Sequence, residues 1–275
     1  MVSGESLQER NEEREQISIV IPARNEATRI SSTLEALMDI FSRDVKSKKV
    51  EIIIVMPGCT DDTPKIVNNF AKEHPWLIKP VLIDEDIGKG GALMKGMEIA
   101  KGDILILLDA DLPVEPTEII KAIKMMEKYD LILGSRYTYG AKIYPKPSYL
   151  RLLFSKSFNI IVRLLFQELR NIKDTQCGVK LLSRRLFNMI KPLLMITGFA
   201  FDVNLICAAI KFNARVKELG VTWRHNEYGS KISRHIPKLA LKMLLEILKL
   251  KVYLRLFNKR GTGSGGYKPR PRRDS

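Results

Sequence analysis

The sequence predicts an α/β fold with a mostly parallel central sheet flanked by helices. Short runs of β-branched and aliphatic residues alternate with longer segments of helical periodicity between residues 17 and 135, and this alternation is typical of βαβ units. Within the predicted strand 103–108, the five aliphatic residues 104–108 leave no polar face, which indicates a strand buried on both sides of a parallel sheet. The chain has 275 residues, enough for one large hydrophobic core.

The individual elements follow from local periodicity and from the residues that interrupt it. Each predicted strand is a short aliphatic run that stops at proline, glycine or a polar residue, and each predicted helix repeats its apolar residues every three or four positions. Thr63-Pro64 marks a helix start, as a capping residue followed by proline. Strands are predicted at 17–21, 51–55, 79–83, 103–108 and 131–133, and helices at about 27–41, from 63 onward, at 91–100 and at 116–128.

Composition restricts the classes of partner and compartment. The formal net charge is +15, which favours an anionic partner such as phosphorylated small molecules or an acidic membrane surface. Nucleic acid is not expected, because aromatic residues make up 7% of the chain and no basic-aromatic stacking pattern occurs. The three cysteines show no Cys-x-x-Cys spacing, which favours a reducing compartment. Residues 1–16 lack the apolar stretch of a signal peptide, and no run of about 18 uncharged apolar residues predicts a membrane span.

Two carboxylates separated by one residue follow the most apolar predicted strand. Asp109 and Asp111 would lie at the carboxyl end of that strand, where open α/β sheets bind ligands. Two hard oxygen ligands can hold Mg2+ or Mn2+, whose remaining coordination positions accept substrate phosphates. Taken alone, the same pattern also fits a strand that ends in solvated acids.

Other segments place phosphate-binding chemistry after predicted strands. The turn 88–91 is glycine-rich and opens a helix, so its backbone amides and the charge of Lys89 suit an anion. Arg136 follows the last predicted strand and can pair with a phosphate in a forked geometry. Ser230 and Lys231 lie in a polar loop with neighbouring basic side chains. Each segment also has a plainer interpretation. The segment 88–91 fits an ordinary turn, Arg136 fits a solvated arginine, and Ser230 and Lys231 fit a basic surface loop.

Six segments taken together resemble family 2 glycosyltransferases with the GT-A nucleotide-diphospho-sugar transferase fold. They are Pro22-Ala23-Arg24-Asn25-Glu26, Gly88-Lys89-Gly90-Gly91-Ala92, Asp109-Ala110-Asp111, Gly134-Ser135-Arg136-Tyr137, Asp174-Thr175-Gln176-Cys177-Gly178 and Gly229-Ser230-Lys231. The resemblance covers roughly residues 17–235, and within the family it points to the dolichyl- and polyprenyl-phosphate hexose synthases. Phe201-Asp202-Val203 and Val221-Thr222-Trp223 favour the glucose branch over the mannose branch.

The resemblance implies a role for each motif. It implies that Asp109 and Asp111 bind a divalent metal, Mg2+ or Mn2+. It implies catalytic roles for Asp174, Arg136 and Asp202, with Asp174 near the reacting carbon. Nucleotide-sugar binding is assigned to Pro22, Arg24, Glu26, Gly58, Lys89, Asp109, Ala110 and Asp111, and acceptor-phosphate binding to Arg136, Ser230 and Lys231.

The implied reaction is an inverting transfer of a hexose from a nucleotide sugar to dolichyl or polyprenyl phosphate, with UDP-glucose favoured and GDP-mannose next. One departure concerns the donor. Met56-Pro57-Gly58-Cys59 replaces the usual Asp-Asp-Gly-Ser turn, so an acid that contacts the nucleotide is missing, although Asp61 or Asp62 can compensate. Two alternatives stay open: a soluble family 2 transferase that acts on a glycan or small molecule, and a catalytically degenerate nucleotide-sugar-binding partner protein.

The late helical segments connect the positive charge to a lipid acceptor. Segments 149–169 and 238–257 are apolar but carry basic residues at intervals, as do helices that lie in the headgroup plane of a membrane; core helices with snorkelling lysines are the alternative. We therefore expect a peripheral enzyme on the cytoplasmic face of a membrane, bound to an anionic surface, with room for a membrane-embedded partner subunit. The predicted divisions are a polar N-terminal extension (1–16), a catalytic domain (17–235) with an interfacial helix at about 149–169, an amphipathic basic helix (236–260) and a disordered basic tail (261–275).

Overall fold

The computed structural model describes residues 16–41, 50–145, 149–224 and 236–259. Its strands are β1 (Ile17–Pro22), β2 (Val50–Pro57), β3 (Ile78–Ile83), β4 (Ile104–Leu108), β5 (Leu131–Ser135), β6 (Lys142–Tyr144), β7 (Val179–Ser183), β8 (Val216–Gly220) and β9 (Thr222–Arg224). Its α-helices are α1 (Ile30–Ile40), α2 (Thr63–Glu73), α3 (Gly88–Ile99), α4 (Pro116–Met125), α5 (Tyr149–Leu165), α6 (Arg184–Ile190), α7 (Phe201–Lys211) and α8 (Ile236–Lys259). Short 3-10 helices cover Gln167–Leu169 and Lys191–Leu193.

The central sheet is mostly parallel, which confirms the predicted fold class. Within the described residues its strand order is β3-β2-β1-β4-β7-β5-β8. β7 is antiparallel to both of its neighbours, and the other neighbouring pairs are parallel. β6 and β9 form a separate parallel pair. The reversed β7 matters for function, because it brings the residues before it to the edge where the parallel strands end.

Both faces of the sheet are buried, because successive strand residues point to opposite sides. Val20, Ile53 and Leu107 pack on the face covered by α3, α5, α7 and α8, whereas Ile19 and Ile106 pack on the face covered by α1, α2 and α4. Complete burial of one such side chain contributes about 1.5–3 kcal/mol to stability. The side chains in the middle of the strands therefore mostly pack in the core. Residues that can bind a ligand are found at the ends of the strands.

Two helices begin at positions that differ from the prediction. α1 begins at Ile30 rather than near residue 27, because the Ala27 amide donates to Asp61 Oδ2 at 3.2 Å and residues 27–29 form a turn. α3 begins at Gly88 rather than at residue 91, so the glycine-rich turn is itself the first turn of the helix. The first change takes residues 27–29 out of the predicted helix, and the second adds residues 88–90 to it.

Segment 172–236 contains more regular structure than the sequence suggested. It includes β7, α6, α7, β8 and β9. α7 is nearly all buried and so has no polar face that would mark a helical period. β7 carries Lys180 inside an apolar run, and its charge is paired with Asp202 from α7. The predicted helix 149–169 ends at Leu165 and continues only as a 3-10 turn.

α5 and α8 pack against each other and each has one buried face. Glu246 of α8 accepts a hydrogen bond from the Ala200 amide at the start of α7, at 3.1 Å. Both helices also expose large apolar side chains, which are Leu153, Phe154, Ile160, Ile161 and Leu164 on α5 and Leu241, Leu245, Leu248, Val252 and Leu256 on α8. Among the described helices, none is both long and apolar enough to cross a membrane. Apart from residue 16, the predicted extension and the predicted tail lie outside the described residues.

Candidate active site

The predicted site residues come from one edge of the sheet. β1, β2, β4 and β5 run in the same direction, so the residues that follow them share the carboxyl edge, where ligands bind in open α/β sheets. β7 runs in the opposite direction, so residues 174–178, which precede it, reach the same edge. One antiparallel strand therefore joins the Asp174 motif to the Asp109 motif.

Asp109 and Asp111 are each paired with a cation from a neighbouring element. Lys89, in the first turn of α3, places Nζ 2.7 Å from Asp109 Oδ1. Arg29, in the turn before α1, places Nη1 3.7 Å from Asp111 Oδ2. The two carboxylates remain accessible, with 30% and 28% of their side-chain surfaces exposed.

The electrostatic balance of this pair favours an added cation. Burial raises the pKa of Asp111 above its usual value, and the neighbouring Asp109 raises it further, while Arg29 and Lys89 offset these effects only in part. Burial lowers the pKa of the Lys89 ammonium, but the carboxylates of Asp109 and Asp202 outweigh burial, so this pKa is raised. At Asp111, burial and the neighbouring carboxylate together thus outweigh the two bases, and an added cation would favour the ionised form.

The donor set fits a hard divalent cation shared with a substrate. Among the described residues, no group of three or more acidic, histidine or cysteine side chains could hold a metal ion by itself. Mg2+ commonly takes one or two protein carboxylates and completes its coordination with water and substrate phosphates, and Mn2+ suits the same oxygen ligands. Asp109 and Asp111 are the residues that would hold such an ion, and Lys89 is the competing cation at Asp109.

Gly178 and Ala110 fix the position of the acidic pair. The Gly178 carbonyl accepts a hydrogen bond from the Asp109 amide at 3.0 Å, and a Cβ atom at residue 178 would lie 2.2 Å from Asp109 Oδ2. Glycine therefore leaves room for this carboxylate in its observed orientation. Ala110 is buried, and its carbonyl accepts from Thr33 Oγ1 at 2.7 Å. The loop is anchored on both sides of the sheet edge.

The predicted nucleotide-binding residues after β1 and β2 form one cluster. Pro22 ends β1. Arg24 places Nη1 2.7 Å from Asp86 Oδ2 and Nε 3.5 Å from the Gly58 carbonyl. Gly58 has a φ of +52° and lies against the Asp86 backbone, so a side chain there would be strained. Glu26 pairs with Arg29, which links this cluster to the acidic pair.

The substituted turn after β2 contributes no acid at the family's usual place. Met56 is fully buried in the core. Asp61 accepts hydrogen bonds from the Thr63 amide at 3.0 Å and from the Thr63 hydroxyl at 2.6 Å. It thereby holds the start of α2, whereas Asp62 is exposed at the N-cap position of that helix. Both acids suggested as compensation are exposed, but Asp61 is engaged in holding the start of α2.

The glycine-rich turn of α3 has a packing role that the sequence did not reveal. Gly88 has a φ of +73°, and a Cβ atom there would lie 2.4 Å from the Thr197 carbonyl oxygen. The Gly91 amide donates to the same carbonyl at 3.1 Å, and the Gly88 amide donates to an aspartate side chain. These two amides are already paired, which argues against their part in the predicted amide cradle. Lys89 is the group that this turn directs toward the acidic pair.

Arg136 and Asp174 form a bidentate ion pair. Arg136 Nε and Nη2 lie 2.7 and 2.9 Å from the two carboxylate oxygens, and the Arg136 amide donates to Asp174 Oδ2 at 2.9 Å. Burial would raise the pKa of Asp174, but Arg136 outweighs burial and holds it below its usual range. The guanidinium also lies over the rings of Tyr137 and Trp223, with centroids 5.4 and 5.1 Å away. Asp174 is thus a buried, ionised carboxylate that orients Arg136.

Asp202 lies in the interior, in contact with Lys89. Only 3% of its side-chain surface is exposed, and its Oδ1 atom is 3.0 Å from Lys180 Nζ. Its Oδ2 atom is 3.7 Å from Lys89 Nζ. A catalytic role for Asp202 would therefore be exerted through its contact with Lys89 rather than by direct contact with an acceptor.

Three residues without a predicted role hold the site together. Arg29 links Glu26 to Asp111, Lys180 pairs with Asp202, and Glu218 accepts from the amides of residues 173 and 174 at 3.0 and 2.9 Å. The Glu26–Arg29 spacing of three residues and the lone charge inside β7 are signals in the sequence for the first two. Glu218 lies on a half-buried edge strand, and no local pattern marks it.

Two further points concern residues of the six segments. Ser230 and Lys231, proposed for the acceptor phosphate, lie outside the described residues. Cys177 is fully buried, and burial raises the pKa of its thiol to about 12. A thiol with such a pKa is a poor nucleophile, so Cys177 is a packing residue rather than a nucleophile.

Comparison with known proteins places this geometry in a family. The model of the family described as "Glycosyl transferase family 2" matches residues 18–190. A dolichyl-phosphate beta-glucosyltransferase of Dictyostelium discoideum is 31% identical over 256 residues, which are 86% of this chain and 77% of the relative. The protein of the same name from Saccharomyces cerevisiae is 28% identical, over 88% of this chain and 76% of the relative. The human protein of that name is 27% identical, over 79% and 69%.

Solved structures agree on the fold. Glucosyl-3-phosphoglycerate synthase from Mycobacterium tuberculosis, crystallised with Mn2+, UDP-glucose and phosphoglyceric acid, superposes with a TM-score of 0.64 at 19% identity. The match covers 86% of this chain and 80% of that structure. The predicted GT-A fold is therefore confirmed, and the chain belongs to glycosyltransferase family 2.

Proposed function

We propose that this protein transfers glucose from UDP-glucose to dolichyl or polyprenyl phosphate, with inversion at the sugar carbon. The activity for which the relatives are named, dolichyl-phosphate beta-glucosyltransferase, supports the acceptor and the sugar. The observation that carries the proposal is the shared edge: the Asp109–Asp111 pair with Lys89 and the Arg136–Asp174 pair both lie at the carboxyl edge of one sheet. The first set suits a leaving diphosphate, and the second suits an attacking phosphate.

The donor side must stabilise the negative charge that develops on the departing nucleoside diphosphate. A bound Mg2+ or Mn2+ would act there as a Lewis acid and as a template for the diphosphate. Lys89 adds a positive charge within the same cluster, in a site that is only partly exposed to water. Charge preorganised in this way costs no reorganisation during the reaction, which is why such groups lower barriers effectively. Arg24 and Gly58 line the nucleotide end of the edge.

The acceptor side needs orientation more than proton abstraction. A phosphate monoester is already anionic at neutral pH, so it attacks without a strong general base. The guanidinium of Arg136 is held rigid by Asp174, which takes one N–H of Nε and one of Nη2, and by the rings of Tyr137 and Trp223. A guanidinium has five N–H donors, so the Nη1 group can still donate to phosphate oxygens. Asp174 itself is a weak base, because its pKa is lowered by Arg136. The geometry therefore supports a single displacement in which Asp174 positions Arg136.

A lipid acceptor requires access to a membrane, and the exposed faces of α5 and α8 supply a candidate surface. Exposed apolar side chains on α8 recur at 241, 245, 248, 252 and 256, one stripe of a helix, beside exposed Lys242, Lys249 and Arg255. This combination suits a helix that lies in the headgroup region of an anionic bilayer. We propose that the enzyme docks there as a peripheral protein on the cytoplasmic face, where a membrane-embedded partner subunit would also find it.

Transfer of label into lipid tests the proposal directly. The purified chain is incubated with Mn2+, polyprenyl phosphate vesicles and radiolabelled UDP-glucose or GDP-mannose, and counts are followed into the organic phase. We expect counts from UDP-glucose that depend on the lipid phosphate. Counts from GDP-mannose alone would correct the donor, since the buried Met56 leaves the nucleotide end without the family's usual acid. Transfer to water-soluble acceptors only, or no transfer and no hydrolysis, would refute the lipid-linked reaction.

A further inference from the structure

Lys89 lies between two carboxylates that differ in how well they are satisfied. Its Nζ atom is 2.7 Å from Asp109 Oδ1 and 3.7 Å from Asp202 Oδ2. Asp202 Oδ2 is buried and has no hydrogen-bond partner, whereas Asp202 Oδ1 is held by Lys180 at 3.0 Å. An unpartnered buried carboxylate oxygen is costly. Its position beside a lysine that is already paired elsewhere therefore calls for an explanation.

We propose that Lys89 is a displaceable counter-ion for Asp109 and that Asp202 is the positioning residue that receives its ammonium group when a divalent cation binds Asp109. The inference rests on the metal role of Asp109 in the proposed function. In the described state Lys89 neutralises Asp109. When a cation takes over that carboxylate, Lys89 moves onto Asp202 Oδ2 and keeps a partner.

Electrostatics gives the reason for such a second partner. A lysine ammonium held at Asp109 repels an incoming divalent cation at the same carboxylate. Only 17% of the Lys89 side-chain surface is exposed, so its charge cannot simply be released to water. A buried charge that loses its partner strongly destabilises a protein. Asp202, fixed in place by Lys180, removes that penalty and so makes the carboxylate of Asp109 available.

The same arrangement suits the catalytic cycle. Lys89 stays within the cluster in both states, so its positive charge remains near the departing diphosphate after the cation has bound. With Asp109 free again after product release, Lys89 would return to it, so that the acidic pair would not be left unneutralised. Lys180 supports this arrangement structurally. Its ammonium group also donates to the Cys177 carbonyl and so connects Asp202 to the motif before β7.

A double-mutant cycle on Mn2+ binding tests the proposal without reference to sugar transfer. The full-length chain is titrated with Mn2+ alone, and bound ion is followed by electron paramagnetic resonance, for the wild type, Lys89→Met, Asp202→Asn and the double variant. Loss of Asp202 should weaken Mn2+ binding about tenfold more when Lys89 is present than when it is methionine, a size typical of residues that support metal ligands. Lys95→Met, an exposed lysine on the same helix, should leave the affinity within about twofold.

Additivity is the result that would overturn the inference. A through-space effect of the Asp202 charge acts equally in both backgrounds, so equal losses within about twofold mean that Lys89 does not exchange partners. If the wild type binds Mn2+ only with UDP, the same cycle is measured at saturating UDP. Absence of Mn2+ binding with UDP as well would refute the metal site and this inference together. If Asp202→Asn does not fold, a crystal structure of the wild type with Mn2+ decides: Lys89 Nζ should lie within hydrogen-bond distance of Asp202, and its retention on Asp109 would contradict the proposal.

Discussion

Arg136 and Arg215 form the same bidentate ion pair at opposite ends of β5. Each arginine uses its backbone amide, Nε and Nη2 on one aspartate, which is Asp174 for Arg136 and Asp130 for Arg215. Asp130 precedes the strand, and Arg136 follows it. The two pairs therefore share their local geometry but lie at opposite edges of the sheet, and only the Arg136 pair lies at the edge where ligands bind.

Replacement of each arginine by lysine should separate these two settings. Arg136→Lys loses the forked geometry and should lower kcat/KM for polyprenyl phosphate by about 30-fold, equivalent to about 2 kcal/mol. Arg215→Lys should lower the melting temperature about as much as Arg136→Lys does, but it should leave kcat/KM within about twofold. Steady-state transfer assays and thermal melts measure both quantities. Equal losses of kcat/KM in the two variants would show that Arg136 has only a structural role.

Asp111 is a residue at which function opposes stability. Its pKa is raised in the folded protein by burial and by Asp109, so the ionised form is disfavoured on folding and destabilises the protein above its folded pKa. Asp111→Asn should raise the melting temperature by roughly 2 °C at pH 7 in EDTA. This gain should shrink as pH falls through the folded pKa and vanish below about 4, the unfolded value. Scanning calorimetry of both proteins against pH provides the test, and a lower melting temperature for the variant at pH 7 would contradict it.

At the scale of elements, the reversed strand β7 organises the site. It inserts between β4 and β5 and brings residues 174–178 beside the acids that follow β4. Gly178 is the point of closest approach, because a side chain there would meet Asp109 Oδ2. That oxygen is the end of a side chain that can rotate, so a larger residue would displace the carboxylate rather than unfold the protein.

Gly178→Ala should therefore weaken Mn2+ binding about tenfold while the melting temperature changes by less than about 2 °C. Gly134→Ala is the matched control on the neighbouring strand β5, because its Cβ atom would lie 2.3 Å from Val179 Cγ1 in the core. It should lower the melting temperature by several degrees and leave Mn2+ affinity of the folded protein unchanged. Equal Mn2+ affinity of Gly178→Ala and wild type would show that Asp109 does not need its observed orientation.

The same elements show what the sequence can and cannot predict. β1, β2 and β4 were predictable because their aliphatic runs are buried on both faces and end at proline or aspartate. β7 and α7 were not, because Lys180 breaks the apolar run of one, and the other is buried all round. The charge of Lys180 is neutralised by Asp202, a contact between residues far apart in the chain.

The candidate site divides in a similar way. Four of the site residues could be placed from the sequence, because each follows a predicted strand or lies in the turn that opens a predicted helix. Strand order and strand direction were enough to bring them to one edge of the sheet. They are Asp109, Asp111, Lys89 and Arg136. The positioning roles of Arg29 and Glu218 depend on distances across the fold, such as the 2.9 Å bond from the Asp174 amide to Glu218. Local patterns carry no information on such contacts.

For the whole molecule, the central question is how a net charge of +15 is distributed. Exposed basic residues occur on many elements, but on α8 they flank a stripe of exposed aliphatic side chains. Membrane affinity of such a helix combines buried apolar area with attraction to anionic lipid. The location of the charges, rather than their sum, should therefore determine binding.

Two triple variants with the same change in net charge test this point. The first variant replaces three basic residues of α8 by Gln: Lys242, Lys249 and Arg255. It should weaken binding to anionic vesicles by roughly 100-fold, since each basic residue near such a surface contributes about 1 kcal/mol. Lys65, Lys72 and Lys124, exposed on α2 and α4, replaced by Gln should weaken it by only a few-fold. Vesicle sedimentation measures both. Equal weakening by the two variants would mean that total charge alone attracts the protein to membranes.

The most direct test of the account is a Mn2+ titration of glucose transfer to polyprenyl phosphate, with wild type and Asp111→Asn compared at equal, folded concentration. The wild type should show saturable, metal-dependent transfer that EDTA abolishes. The variant should retain its fold and fall by at least about 100-fold at every Mn2+ concentration, because the acids after β4 are the only protein ligands proposed for the ion. Transfer by Asp111→Asn at the wild-type rate and with the same metal dependence would contradict the account.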